Sequence, residues 1–196
     1  MKIDLACGQS PKEGFEGADR YAPNAKYKID LLKFPWPWAN DSVQEFYSSH
    51  FIEHIPMDVI DELSARRYTY EPETVLPGHP WYGQDLFFRF FDEMYRCIHR
   101  EGVINLIWPD LQTCRAFMDP THRRFLPAQA TLYLNEQWRK DNKLDHYLIK
   151  CNFAGNVNPT IQAELALLHP EAQARRFNEG WNTKFDNICT LKPIKP

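Results

Sequence analysis

The first residues of this 196-residue chain constrain its fold more than any other segment does. Ile3 and Leu5 are apolar, and they predict a short strand over residues 2–6. The strand runs directly into Ala6-Cys7-Gly8, which carries so little side-chain bulk that a ligand can approach the backbone there. Glycine also allows a tight turn at this point. The pattern indicates a ligand site just beyond the end of the first strand.

Polar residues follow three further predicted strands in the first 55 residues. Asp19 follows the short segment Phe15 to Ala18, and Asp30-Leu31 follows a strand that ends near Ile29. Ser49 and His50 stand at the end of a strand over Val43 to Ser49, where Val43, Phe46 and Tyr47 favour β-structure. Ligands of open α/β sheets bind outside the carboxyl ends of the strands, so these residues should lie near one another.

The order of these motifs resembles the class I S-adenosylmethionine-dependent methyltransferases, in particular small members whose fourth motif reads like His-x-x-Glu-His-Ile. That motif is His50 to Ile55 in this chain. Residues 90–110 are similar to the family's helix, turn and fifth strand, and Asp119-Pro120-Thr121-His122 is similar to a segment that follows that strand. The resemblance covers about residues 2–125. It implies a single α/β domain over 1–196, with a mostly parallel seven-stranded sheet, an antiparallel last strand and helices on both faces.

The resemblance also implies the cofactor S-adenosyl-L-methionine and a set of residues to bind it. Asp4 and the backbone of residues 6–8 would face the methionine part, Asp19 would accept hydrogen bonds from two ribose hydroxyls, and Asp30 with Leu31 would flank the adenine. The full set is Asp4, Ala6, Cys7, Gly8, Asp19, Asp30, Leu31, Ser49 and His50.

Histidine is the natural base for an acceptor that must lose a proton, whereas methyl transfer itself mainly needs alignment and exclusion of water. His50 and His122 are the candidate catalytic residues, and a structural hydrogen-bonding role is the alternative for each. Glu53, His54 and His122 are residue types that bind zinc. Their spacing does not match His-Glu-x-x-His or a zinc finger, so we predict no metal site.

The remaining elements follow from apolar periodicity and turn signals. Asp19 comes only eleven positions after Gly8, so the first helix of the fold must be short or replaced by a loop. Residues 66–84 predict an irregular insertion, either a packed surface loop or a lid or contact between identical subunits. The other expectations are a helix from Pro56 with Val59, Ile60 and Leu63 on one face, a helix over Gln84–His99, a strand over Val103–Trp108, a helix around Leu132–Trp138, a strand over Tyr147–Phe153, helical pieces near Ile161–Leu168 and Glu171–Asn178, and a last strand over Lys184–Leu191.

Composition and absent motifs exclude several classes of protein. A net charge of −3 argues against a duplex nucleic-acid partner. No apolar run approaches the roughly 20 residues that cross a bilayer, and the chain opens without a signal-peptide pattern. Five scattered cysteines favour reduced thiols and a cytoplasmic location. The Gly-x-Gly-x-x-Gly, phosphate-loop and Gly-x-Ser-x-Gly motifs are absent, which argues against a dinucleotide oxidoreductase, a nucleotide triphosphatase and an α/β-hydrolase.

These observations favour methyl transfer to an acceptor that the sequence does not identify: a small molecule, a sugar or a protein side chain. The loops 34–42 and 119–126 and the insertion 66–84 would hold it, helped by Trp36, Trp38, Tyr68, Tyr70 and Trp81. The alternative is a non-catalytic module that keeps the fold and binds the cofactor or a partner. The shortened first connection, and Ala6 where the family more often has glycine, favour that alternative.

Overall fold

The computed structural model describes residues 1–196 and contains one mixed sheet of six strands in the order β2-β1-β3-β4-β6-β5. Strands β1 to β4 pair in parallel, and β6 runs antiparallel to both β4 and β5. The strands are β1 (Lys2–Leu5), β2 (Glu16–Ala18), β3 (Val43–Ser49), β4 (Ile98–Pro109), β5 (Phe153–Ile161) and β6 (Lys184–Pro193).

The helices are short apart from two. They are α1 (Ala65–Tyr68), α2 (Leu86–Cys97), α3 (Arg115–Met118), α4 (Glu136–Asp141) and α5 (Pro170–Glu179), and short 3₁₀-helices lie at Ile52–His54, Pro72–Thr74, Ala128–Leu134 and Ala163–Leu167. None is long and apolar enough to cross a membrane. All five cysteines are free thiols.

No helix connects β1, β2 and β3. A loop over residues 6–15 joins β1 to β2, as the short spacing predicts. The expected strand ending near Ile29 is wrong, because a single bridge between Ala18 and Tyr27 forms in its place and leaves six strands rather than seven. The chain turns away at Asp30, whose side chain and carbonyl accept the amides of Leu32 and Lys33 before further pairs can form.

Two tryptophans fill the space beside this helix-free part of the sheet. Trp36 and Trp38 are buried and pack on Phe46 of β3 with ring centroids 5.9 and 5.7 Å apart. Trp36 also lies 5.3 Å from Phe90 of α2, and its amide donates to the Glu93 carboxylate at 2.7 Å. The expectation that these tryptophans hold an acceptor is therefore wrong, since both belong to the core.

Helix α2 follows the predicted apolar stripe closely. Asp85 caps it by accepting the amide of Phe87, and Ile98 continues directly into β4 without the expected separate turn. Its polar side faces loops rather than water: Asp92 accepts the amides of Lys150 and Cys151. Those two amides are thereby withdrawn from strand pairing. The strand predicted over 147–153 is therefore wrong, and β5 forms over Phe153–Ile161 instead.

The helix expected from Pro56 does not form, and only Ile60 of its predicted face is buried. Leu63 is 90% exposed, and Val59 makes only an isolated bridge with Asp85. The Asp61 carboxylate accepts the amides of Leu63 and Ser64, so the segment closes into turns stabilised by its own side chains. Residues 66–84 are irregular apart from the end of α1 and one 3₁₀ turn, as predicted.

Candidate active site

The turn after β1 is built from left-handed backbone. Ala6 has φ +56° and Gly8 has φ +58°. The Ala6 amide donates to the carbonyl of Ala18 at 2.8 Å, and the Gly8 amide lies 3.3 Å from Oδ2 of Asp19, so the turn is tied to the end of β2. A Cβ at Gly8 would meet no atom within 4 Å. Glycine is therefore favoured there for its conformation rather than for lack of space.

One cavity, the Asp19 cavity, opens on one side of this turn with a volume of about 280 Å³. The Oδ1 atom of Asp19 accepts the amides of Tyr21 and Ala22 at 2.7 and 2.8 Å, which fixes the orientation of the carboxylate. Asp30 is paired with Arg20 at 3.0 Å. The lining residues are Ala6, Asp19, Arg20, Tyr21, Ile29, Asp30, Leu31, Leu32 and Phe51, so carboxylates stand beside apolar walls.

A second cavity, the Asp4 cavity, has a volume of about 510 Å³ and shares Ala6 with the first. Asp4 is buried, its Oδ2 accepts the amide of Lys12 at 2.7 Å, and burial raises the pKa of its carboxyl. The Lys12 ammonium lies 4.0 Å from the ring centroid of Tyr47. The lining residues are Asp4, Ala6, Cys7, Gly8, Ser10, Lys12, Tyr47 and Ser49. The cavity therefore offers both an acidic and a basic side chain.

Eight of the nine cofactor residues expected from the sequence line one or both of these cavities: Asp4, Ala6, Cys7, Gly8, Asp19, Asp30, Leu31 and Ser49. His50 lines neither cavity. The cavities are also lined by Lys12, Tyr47 and Phe51, which the sequence did not indicate as cofactor residues. Phe51 could have been found because it is only two positions beyond Ser49, whereas Lys12 reaches the site only because a loop replaces the first helix.

His50 and His122 approach the same carboxylate oxygen. Nδ1 of His50 lies 3.3 Å from Oε1 of Glu53, and Nε2 of His122 lies 4.0 Å from it. The Glu53 carboxylate raises the pKa of His50, whose side chain is 40% exposed. The His122 side chain is only 7% exposed, and its Nδ1 is 2.7 Å from the carbonyl oxygen of Ala116.

His54 completes this group, which we call the Glu53 cluster: Glu53, His54 and His122. The rings of His54 and His122 meet edge to face with centroids 4.7 Å apart. One ligand atom from each of the three residues can be chosen so that all lie within 4.8 Å of one another. The residues whose sequence spacing matched no metal motif are thus brought together by the fold.

A third cavity of about 460 Å³, the Asp110 cavity, lies between the end of β4 and the start of β6. Its lining combines polar side chains with apolar ones. Asp110 is buried and accepts the amide of Gln112, and the Lys184 ammonium donates to the Gln112 side-chain oxygen at 2.7 Å.

Solved structures share this fold. A methyltransferase dependent on S-adenosylmethionine from Archaeoglobus fulgidus aligns with 97% of this chain and 85% of its own, at a TM-score of 0.57 and 14% identity. A Listeria monocytogenes protein described as a putative S-adenosylmethionine-dependent methyltransferase aligns over 99% and 91%, at a TM-score of 0.52 and 10% identity. This chain has the class I S-adenosylmethionine-dependent methyltransferase fold.

A geranyl diphosphate C-methyltransferase from Streptomyces coelicolor A3(2), solved with Mg²⁺, geranyl diphosphate and S-adenosyl-L-homocysteine, aligns over 98% of this chain and 72% of its own. Its TM-score is 0.50 and its identity 10%. No family model matches the sequence, and no curated protein matches it. At these identities the likeness establishes the fold, and the chemistry must be argued from the chain's own residues.

Proposed function

We propose that this chain binds S-adenosyl-L-methionine across the Asp19 and Asp4 cavities and transfers its methyl group to an acceptor. The observation that carries this proposal is that two cavities of complementary character meet at Ala6, at the carboxyl end of β1. An elongated ligand with an aromatic base at one end and an amino acid at the other fits such a pair.

The Asp19 cavity suits the adenosine part. Because Oδ1 of Asp19 is held by two backbone amides, Oδ2 is left with only the long contact to Gly8 and can accept from ribose hydroxyls. Leu31 and Phe51 offer apolar surface for the adenine ring. Asp30 can accept from its amino group while it remains paired with Arg20.

The Asp4 cavity suits the methionine part, which carries an ammonium and a carboxylate. Asp4 supplies the negative charge and Lys12 the positive charge. Hydrogen bonds between charged partners are stronger than neutral ones, and the two signs would orient the amino acid in one direction. The backbone of residues 6–8 carries no bulky side chain that would separate these groups from the ligand.

The transfer step requires an acceptor aligned with the sulfonium in a site closed to water. His50 is the residue of this chain best suited to position such an acceptor or remove its proton, because its ring is partly exposed next to the cofactor-lining residues Ser49 and Phe51. His122 is less suited to exchange protons, since its ring is buried. The acceptor is a small molecule, a sugar or a protein side chain, and the Asp110 cavity offers it both polar and apolar surface.

A second candidate function is cofactor binding without catalysis. The specific observation in its favour is that no helix follows the Ala6–Gly8 turn, so no helix N-terminus directs its dipole at the ligand. The two functions differ in turnover. Both require the cofactor to bind.

Calorimetry tests the shared requirement. The wild-type chain should bind S-adenosyl-L-homocysteine and S-adenosyl-L-methionine but not NAD. Asp19→Ala removes hydrogen bonds to a charged acceptor, each worth about 1.5–3 kcal/mol, so affinity should fall at least tenfold. Asp145→Ala is the matched control, because Asp145 is exposed and lines neither cavity. Equal affinity in wild type and Asp19→Ala would contradict the assignment of the ribose site.

A further inference from the structure

We infer that the Glu53 cluster is a binding site for one divalent transition-metal ion of the kind that accepts mixed nitrogen and oxygen ligands, such as Zn²⁺. The site consists of a Glu53 oxygen, Nε2 of His54 and Nε2 of His122. It is separate from the two cofactor cavities, and it does not depend on the proposed methyl transfer.

The Glu53 carboxylate provides the first argument. Glu53 is 2% exposed, and neither of its oxygens receives a hydrogen bond. His50 approaches Oε1 at 3.3 Å as an ion-pair contact only. Buried carboxylates are ordinarily paired and hydrogen-bonded or coordinate a metal ion. His50 is thus the one ion-pair partner within 3.5 Å, and a cation between Glu53 and the other two imidazoles would give the buried carboxylate the coordination that it lacks.

The hydrogen bonds of the two histidines provide the second argument. Nδ1 of His122 faces the Ala116 carbonyl at 2.7 Å, so it must carry the proton, and Nε2 keeps its lone pair. Thr121 donates its hydroxyl proton to Asp119 at 2.7 Å, so Nδ1 of His54, 3.1 Å from that hydroxyl, must also be the donor. Both rings therefore keep Nε2 free. Metal-ligating histidines commonly donate their other nitrogen to a carbonyl or a carboxylate system in this way.

Backbone contacts hold the cluster together across the fold. The amides of Arg123 and Arg124 both donate to the carbonyl of Glu53, at 2.8 and 2.9 Å. The Arg124 guanidinium donates to the carbonyls of Ile55 and Pro56. The segment that carries His122 is thus fixed against the turn that carries Glu53 and His54. The three residues are neighbours because of these bonds rather than by the chance orientation of side chains.

The donor set selects the class of metal. Two imidazoles and one carboxylate suit zinc and similar first-row ions, whereas Mg²⁺ and Ca²⁺ prefer all-oxygen sites. The present 4.0 Å between Nε2 of His122 and Oε1 of Glu53 would have to close to about 3.4 Å around a tetrahedral ion with bonds of about 2.1 Å. Three protein ligands leave at least one position for water or an oxygen of a bound molecule.

The test uses the full chain, freed of metal with a chelator, and two probes. Zn²⁺ is titrated by calorimetry, and Co²⁺ is followed by its visible absorption. Wild type should bind one ion per chain, and Zn²⁺ should raise its Tm. Glu53→Gln and His122→Asn should each weaken Zn²⁺ binding at least 100-fold. Thr121→Ala, which removes the hydroxyl that links His54 to Asp119, should weaken it about tenfold. His146→Ala is the control, since His146 is an exposed histidine outside the cluster.

Two results would overturn the site. One is no stoichiometric binding by wild type, and the other is equal binding by wild type and Glu53→Gln. Loss of binding in His146→Ala would count against it as well, because it would indicate adventitious surface binding. Circular dichroism establishes that each variant is folded. If His122→Asn does not fold, His54→Asn replaces it. Binding of S-adenosyl-L-homocysteine to the metal-free chain is measured separately, so failure of one site does not imply failure of the other.

Discussion

The two halves of the sheet are stabilised in different ways. Around β1, β2 and β3 the chain contains no connecting helix, and the core there includes Trp36 and Trp38 from an irregular loop. Around β4 a regular helix, α2, enters the strand directly with its apolar stripe buried. Both candidate cofactor cavities lie in the helix-free half.

The difference shows that one side of a sheet can be stable without covering helices if large aromatic side chains from a loop bury the surface that helices would otherwise bury. The loop is then as much a part of the core as a helix would be. Glu93 of α2 joins the two halves, since it accepts the Trp36 amide and pairs with Arg89 and Arg96. The cofactor cavities can therefore rest on loops and still have a fixed support.

The largest expected effect is on stability, and it comes from truncating a buried tryptophan in the loop 34–42. Trp36→Ala should lower the free energy of unfolding by about 3–5 kcal/mol, as truncation of a buried tryptophan does. Trp181→Ala is the control, because Trp181 is 56% exposed, and it should change stability by less than about 0.5 kcal/mol. Urea unfolding followed by circular dichroism measures both. Similar small losses in the two variants would mean that the loop does not support the sheet.

The turn after β1 should be the next most sensitive position. Gly8→Val places a β-branched side chain at φ +58°, at a cost of roughly 1–2 kcal/mol, and should abolish binding of S-adenosyl-L-homocysteine. Gly8→Asn is the matched variant, because asparagine tolerates this conformation. It should retain most of the stability. Thermal unfolding and calorimetry measure the two effects, and normal ligand affinity in folded Gly8→Val would exclude the turn from the cofactor site.

Ala6 should respond in the opposite direction. It already occupies left-handed backbone at φ +56°, so Ala6→Gly should raise the free energy of unfolding by up to about 1 kcal/mol through relief of strain, less the greater entropy of the unfolded chain. The measurement is again urea unfolding. A clear loss of stability would show that the methyl group of Ala6 packs usefully in the helix-free half.

The smallest effect concerns motion of the loop that carries Trp36 and Trp38, rather than stability. Burial, followed by the charge of Glu93, raises the pKa of Cys97 to about 12, and its thiol lies 3.7 Å from the carbonyl oxygen of Trp38. At pH 8 this thiol is protonated and covered, so a thiol reagent should modify exposed Cys114 rapidly and Cys97 only as the chain unfolds. Mass spectrometry of quenched samples distinguishes the two sites. Rapid labelling of Cys97 would indicate that the loop separates from α2 in the native state.

Much of the regular structure could be predicted from local patterns. The bounds of β3 agree with the prediction, and the stripe of α2 is buried as expected, because both are determined by apolar periodicity. The cavity-lining residues near the Ala6–Gly8 turn could also be identified from the sequence, since they follow strand ends.

The remainder depends on contacts between distant parts of the chain. The helix expected from Pro56 fails because Asp61 and Ser64 bond to nearby backbone. His122 comes next to His54 only because amides of the 119–124 segment donate to the Glu53 carbonyl. The spacing of residues along the sequence indicates neither contact. The sequence therefore offered Glu53, His54 and His122 as possible ligands but gave no reason to place them together.

A crystal structure with S-adenosyl-L-homocysteine bound tests the central claim most directly. The ribose hydroxyls should lie within hydrogen-bond distance of Asp19, the adenine should lie beside Leu31 and Phe51, and the amino-acid group should lie between Asp4 and Lys12. The sulfur should stand near Ala6, where the two cavities meet. Ligand bound elsewhere, or in these cavities with the adenine on the Asp4 side, would contradict the account.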